Sequence, residues 1–151
     1  MAQYELSITR LIDAPVDVVW RVFTERTNEW FCPRPWRAEV EWDLRAGGRS
    51  KTVMYGPNGE VNAMEGMILE AVPGKRVVFT DAFTGDWEPA GPFMVGFFEF
   101  EAEGDKTRYT GRARHWTEEA YNQHKQMGFE PGWAAVADQL AALAEGARAE
   151  A

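Results

Sequence analysis

Between residues 37 and 116 the chain is cut by turn residues into short segments of alternating polarity. Helical spacing appears only before and after that run. This order constrains the fold more than any other feature. Period-two alternation sends successive side chains to opposite faces of a strand, whereas an apolar recurrence every three or four residues makes one face of a helix.

Residues 4–12 alternate and read as a strand. Asp13-Ala14-Pro15 then opens a helix, with Asp13 or a neighbour as cap and Pro15 in the first turn, where N–H groups have no partner anyway. Val16, Val19, Trp20 and Phe23 give that helix one apolar face. A short second helix or turn over 26–31 stops before Pro33 and Pro35. Residues 37–44 alternate weakly, Gly47-Gly48 breaks the pattern, and 49–55 resumes it. Gly56-Pro57-Asn58-Gly59 is a turn signal, followed by strands over 61–72 and 76–82 on either side of Pro73-Gly74. Residues 83–92, rich in Gly and Pro, read as a longer loop. Residues 93–101 and 107–116 form a hairpin around Glu103-Gly104-Asp105. Thr117-Glu118-Glu119 starts a helix, Gly128 interrupts it, and Pro131 restarts it, with Trp133, Val136, Leu140, Leu143 and Ala144 as a stripe. Strands bracketed by helices read as α+β: an antiparallel sheet with an amphipathic helix laid across it.

The chain of 151 residues suits one domain, 1–151. Its 24 acidic side chains outnumber 16 basic ones, giving a net charge of −8. That charge disfavours nucleic acid and anionic membranes, which need a basic patch. Aromatic residues make up 13% of the chain, enough to fill a core or to line a pocket. Cys32 is the single cysteine, so no internal disulfide forms. The start of the chain has no basic and apolar segments of a signal peptide, and no apolar stretch approaches the roughly 20 residues that span a bilayer. A cytoplasmic protein without a membrane span is the expectation.

Common catalytic motifs are missing. Ser50 lacks the second Gly of a nucleophile elbow, and Gly74-Lys75 lacks the upstream Gly of a phosphate loop. His115 and His124 stand nine residues apart with no further ligand at metal spacing, so no metal site and no cofactor is expected. Cys32, beside Trp30 and Phe31, reads as packing, or as a nucleophile if His115 lies near it.

Strand parity says more. Tyr109, Gly111, Ala113 and His115 share one face of the last strand, while Arg108, Thr110, Arg112 and Arg114 share the other, where Glu99 and Glu101 have the parity to meet them. Met94, Gly96, Phe98 and Phe100 point inward by the same logic. His115 is then a polar residue on an apolar face: a satisfied core histidine, or a polar fixture in a pocket. Glu65 and Asp81 raise the same question, since they share parity with Met67 and Leu69, and with Val77 and Phe79. Gly66, Gly96, Gly111 and Ala113 would leave space over the middle of the sheet, or mark its curvature.

Several pieces in order resemble one family. Thr9-Arg10-Leu11-Ile12-Asp13-Ala14-Pro15 with Val19-Trp20 is similar to the opening of the START-like (SRPBCC) superfamily, and closest to its branch related to the activator of the heat-shock-protein-90 ATPase. Asp43-Leu44-Arg45-Ala46-Gly47-Gly48 resembles that branch's D-L-R-x-G-G turn. Gly66, Leu69, Glu70, Val72 and Pro73, followed by Val78-Phe79-Thr80, resemble its next strands. Gly128-Phe129, Gly132-Trp133 and Leu140 resemble the start of its C-terminal helix. The resemblance implies a helix-grip fold: a curved antiparallel sheet wrapped around a long C-terminal helix, with an apolar cavity between them. Relatives include lipid and polyketide binders, cyclases, an enediyne-resistance protein and co-chaperone domains. No catalytic residue carries over, because the branch has no shared catalytic motif to match.

Three functions follow as expectations. The first is binding of a small hydrophobic or aromatic molecule, lipid- or polyketide-like, between the sheet and the helix of residues 131–144. Trp20, Phe98, Tyr109, Trp116 and Trp133 would be walls, and Glu65, Asp81 and His115 polar fixtures. The second is a cyclase- or hydrolase-like enzyme with His115 as acid or base beside a carboxylate. The third is a co-chaperone-like interaction module, against which stands the lack of room for a further N-terminal domain. A homodimer is compatible with the family.

Overall fold

The computed structural model describes residues 4–91 and 93–150, with the side chain of residue 150 left aside. Its strands are β1 (Glu5–Ile12), β2 (Arg37–Trp42), β3 (Arg49–Tyr55), β4 (Val61–Val72), β5 (Arg76–Thr80), β6 (Phe83–Thr84), β7 (Glu88–Pro89), β8 (Met94–Glu103) and β9 (Lys106–His115). The helices are α1 (Val16–Glu25), α2 (Thr27–Trp30), α3 (Glu118–Gln126) and α4 (Phe129–Glu150). Seven strands form one antiparallel sheet in the order β1-β9-β8-β5-β4-β3-β2, and β6 and β7 pair separately. The sheet curls around α4 in a helix-grip arrangement, as the alternation followed by a helical stripe predicts.

Cross-strand pairs place Ile8, Gly111, Phe98 and Val77 in one row of the concave face, with Arg10, Tyr109 and Phe100 in the next. Against this face pack Val19, Val22 and Phe23 of α1, Trp30 of α2, and Phe129, Ala137, Leu140 and Ala144 of α4. Phe23 is the hub. Its ring lies 4.8 Å from Trp30, 4.9 Å from Phe100, 5.2 Å from Phe98 and 5.4 Å from Trp42. Burying a side chain of this size contributes roughly 1.5–3 kcal/mol relative to leaving it in water.

The convex face carries the charges. Arg112 meets Glu99 at 2.7 Å and Glu5 at 2.9 Å, and Arg114 meets Glu5 at 2.7 Å. Both guanidinium groups sit over Phe97. Glu101 lies opposite Arg108 in register, yet Arg108 pairs with Glu103 instead.

Three local expectations change. Asp13 does not cap α1: Pro15 holds the cap position without a side-chain hydrogen bond, while the Asp13 carboxylate pairs with Arg148 at 2.7 Å. The C-terminal helix begins at Phe129, one residue after the left-handed Gly128 (φ 93°), so Pro131 falls in its first turn, where its missing N–H costs nothing. The predicted loop 83–92 contains the β6–β7 hairpin around a helical turn with Asp86 and Trp87 at positive φ, and Pro92 lies outside the described residues. As expected, Thr117 caps α3, its hydroxyl accepting from the Ala120 N–H at 3.1 Å.

The sheet ends in β2, an edge strand. α2 lies against it, and the Asn28 carboxamide oxygen accepts the Val40 N–H at 2.7 Å.

Candidate functional site

The helices meet the edge of the sheet in an open cleft of about 470 Å³. Thr24 and Thr27 form one side, and Val40, Trp42 and Leu44 the other, while Glu41, Asp43 and Arg49 make a charged rim. Its size suits a small molecule. Register explains the lining: Val40 pairs with Thr52 and Trp42 with Ser50, so all four side chains turn toward the concave face. Thr24 and Thr27 donate their hydroxyl protons back to the carbonyls of Trp20 and Phe23 at 2.9 and 2.8 Å, a local bond that leaves each oxygen able to accept. Arg49 is already paired with Glu65 at 2.6 Å.

A larger cleft, about 670 Å³, opens at the other end of the sheet between Val16, Lys75, Arg76, Glu70, Glu101 and Arg108. Its charges are of both signs, and Arg76 and Glu70 neutralise each other at 2.6 Å. An apolar ligand would have to strip water from these ions, as it would from Glu41, Asp43 and Arg49 at the first cleft, so the two clefts are not separated by charge.

The second polar locus is a histidine pair. His115 Nδ1 lies 2.8 Å from the Tyr4 carbonyl, and His115 Nε2 lies 2.8 Å from His124 Nδ1. A carbonyl only accepts, so His115 carries its proton on Nδ1 and its Nε2 is the acceptor. His124 therefore donates through Nδ1, and its Nε2 keeps a lone pair. The pair is buried in a box of rings: Phe93 and Tyr121 around His115, Phe93, Phe129 and Trp133 around His124. Burial, and then the neighbouring His115, hold His124 far below the usual imidazole range, at about 4. Both nitrogens of His115 are thus engaged, and its partner is an imidazole rather than the carboxylate that the acid–base expectation required.

The structure brings some of the expected wall residues together. Trp20 packs edge-on to Phe100 at 5.5 Å, Phe100 lies 5.5 Å from Tyr109, and Trp133 stacks on Phe98 at 5.9 Å. Burial pushes the Tyr109 phenol up, beyond any useful acid–base range. Other candidates fall elsewhere. Trp116 lies one residue past β9 and is 51% exposed. Asp81 accepts the backbone N–H groups of Phe93 and Met94 at 2.8 and 3.1 Å, so it fastens the start of β8. Glu65 is exposed and pairs with Arg49; it sits opposite Lys51, whereas its neighbour Gly66 sits opposite the buried Ser50. Its parity partner Met67 is buried, but outside the main core cluster, where the 83–87 excursion packs on β4; a bulge between Ile68 and Glu70 then shifts the alternation.

The space expected over the small residues is occupied. A Cβ on Gly96 would come within 2.2 Å of the Phe79 ring, and one on Gly111 within 2.9 Å of Trp133. These glycines seat rings. Cys32 is buried and its thiol is pushed up by that burial, which makes it inert packing.

Sequence reasoning placed Phe23 on the apolar face of the first helix but not at the hub of the core, and it did not single out Trp30 and Trp42 as core rings or the pairing of His124 with His115. Thr27 and Trp30 at i, i+3 carry the helical spacing that marks one face of α2. No local signal announces the histidine pair, because α3 reaches the end of β9 only in the folded chain.

Among the described residues no helix is long and apolar enough to cross a membrane, and no group of three or more His, Cys, Asp or Glu is placed to hold a metal ion. The sequence model described as Activator of Hsp90 ATPase homolog 1-like protein matches residues 13–145. Among solved structures, protein NE0264 from Nitrosomonas europaea is 35% identical over 99% of each chain, with a TM-score of 0.92. Protein Ms6760 from Mycobacterium smegmatis is 28% identical, covering 93% of this chain and 90% of its own, at a TM-score of 0.77. CalU16 from Micromonospora echinospora is 26% identical, covering 93% of this chain and 75% of its own, at 0.62. The search of curated proteins returned no match.

Proposed function

Because the chain belongs to the family of Activator of Hsp90 ATPase homolog 1-like proteins, we propose that it binds a small hydrophobic or aromatic molecule, and that the site is the cleft between α1–α2 and β2. The observation that carries this reading is the cleft's make-up: Val40, Trp42 and Leu44 supply an apolar wall, Thr24 and Thr27 supply oxygens, and Trp42 joins the cleft to the ring cluster around Phe23. Beside five polar or charged lining residues, this apolar wall suits a ligand with an apolar body and polar substituents. The cleft lies at the mouth of the grip, not beneath residues 131–144, where Trp133 already fills the space over Gly111.

The acid–base alternative has no such support, since His115 is bonded on both nitrogens. The proposal is tested by native mass spectrometry of freshly purified protein, together with titration by 2-ethylnaphthalene read by tryptophan fluorescence. Saturable binding that Thr24→Phe abolishes by filling the cleft is the expected result. Absence of saturable binding to wild type, or binding unaffected by Thr24→Phe in a folded variant, removes the reading.

A further inference from the structure

The hydrogen-bond ladder of β2 shows which backbone groups this edge strand leaves over. Successive residues of an antiparallel strand point their N–H and C=O groups alternately to its two sides. The Asp43 N–H donates to the Arg49 carbonyl at 2.9 Å, so Asp43, and Glu41 two residues before it, turn these groups toward β3. Val40 and Trp42 turn theirs the other way, to the free edge. The Asn28 carboxamide agrees with this phase, because it reaches that edge from α2 and accepts the Val40 N–H at 2.7 Å. Nothing comparable reaches Trp42: among the described residues no side chain or loop takes up its N–H or C=O.

These two groups border the cleft. Val40, Glu41 and Trp42 line it in succession, although the Glu41 side chain points to the opposite face of the strand from the other two. Three consecutive lining residues mean that the backbone itself forms part of the wall. Open to solvent, its N–H and C=O bond water. A molecule seated in the cleft displaces that water, and a covered peptide group left unpaired costs as much as a lost hydrogen bond. A pure hydrocarbon forfeits two bonds that a ligand with the matching groups keeps.

We infer that the molecule bound at the cleft carries one amino-acid-like unit, an N-acylated and amide-capped residue with an aromatic side chain, whose N–H donates to the Trp42 carbonyl and whose own carbonyl accepts the Trp42 N–H. The inference rests on the ligand-binding reading above and names its ligand class. The complement of one extended residue in an antiparallel ladder is the N–H and C=O of one other residue. Main-chain bonds of this kind hold the ligand, while the wall of Val40, Trp42 and Leu44 receives its side chain. One residue is also the limit. The next outward N–H, that of Val40, is taken by Asn28, and past Trp42 the chain turns off the edge, with the Arg45 N–H bonded to the Asp43 carbonyl at 2.8 Å. A longer partner strand finds no ladder to continue on.

The test titrates three naphthyl probes into ¹⁵N-labelled protein: N-acetyl-3-(2-naphthyl)-L-alanine N-methylamide, its ester analogue with oxygen in place of the acetylated N–H, and 2-ethylnaphthalene. The amide should bind about tenfold tighter than the ester, the worth of one hydrogen bond. It should move the Trp42 backbone amide proton downfield, which 2-ethylnaphthalene should not do, and Thr24→Phe should abolish that shift by filling the cleft. Adding an alanine to either end of the amide probe should bring no gain. Equal affinity of amide and ester, or an unmoved Trp42 amide proton, overturns the inference and, with 2-ethylnaphthalene still bound, leaves the ligand-binding reading standing. A clear gain on lengthening makes the occupant a strand and overturns it as well. If none of the three binds, both fall. Should Thr24→Phe fail to fold, the affinity ratio and the wild-type Trp42 resonance still decide.

Discussion

On β5, β8, β9 and β1 the concave face carries Val77, Phe79, Phe98, Phe100, Tyr109 and Ile8; on β2, β3 and β4 it carries Ala38, Val40, Trp42, Ser50, Thr52, Met64, Gly66 and Ile68. The first half is closed. Its glycines are places where a ring presses on the backbone, and the neighbouring helices bring further rings to fill what remains. Apart from Trp42 and Ile68, the second half has smaller and more polar side chains, two of them hydroxyls without protein partners, beside a cleft that opens to solvent. Dense packing is what a core requires, and natural interiors leave little unfilled. On the proposed function, stability and recognition fall to different strands of one sheet.

The largest effect should come from the closed half. Phe23→Ala removes the ring that touches Trp30, Trp42, Phe98 and Phe100, and should cost about 4 kcal/mol in urea unfolding. A loss below about 1 kcal/mol would mean that the halves do not differ as described. Next comes the histidine box at the end of the closed half. His124 is held at about 4, below the ordinary 6.5, so the folded protein refuses a proton that the unfolded chain accepts. The sign follows: this contribution is fully present above about pH 6.5 and is lost as pH falls toward 4, for a total of about 3 kcal/mol. His124→Asn keeps a donor for His115 and should flatten that part of the stability–pH profile; an unchanged slope would place the acid sensitivity elsewhere. The smallest effect belongs to the open half. Thr52→Val exchanges a hydroxyl that has no protein partner for a methyl, so thermal unfolding should shift by less than about 0.5 kcal/mol, in contrast to the usual penalty of breaking a buried hydrogen bond. A loss above about 1 kcal/mol would show that the hydroxyl serves the fold, and would erase the contrast between halves.

Much of the architecture is legible in the sequence because it depends on near neighbours. Alternation along residues 107–116 sends the arginines outward and turns Tyr109 and His115 inward, and Arg112 meets the expected Glu99, but Glu5 rather than Glu101 is the second acidic partner. The helical stripe of Leu140 and Ala144 is likewise written in local spacing. The reading fails where burial comes from an unforeseen partner. Met67 looks like a core residue and drags Glu65 with it, yet Met67 lies where an excursion packs on β4, and the bulge after Ile68 resets the alternation. Small residues in these strands point to empty space or to curvature, but a glycine in a strand marks close approach as readily, and Phe79 and Trp133 are the bodies that approach. Trp30 is not legible as a core anchor, because its burial comes from Phe23, Trp42 and Phe98, which only the folded chain brings around it.

The Asn28 carboxamide that accepts the Val40 N–H has a meaning beyond the folding of one chain. An unpaired border strand invites a neighbour's strand to zip onto it. Here that border is also the doorway of the cleft, since Val40 and Trp42 line it. A second chain that extended the sheet at β2 would have to break the Asn28 contact and would stop the doorway in the same act. On the proposed function, strand addition at this edge and binding at the cleft would compete, and a single side-chain amide weighs against the addition.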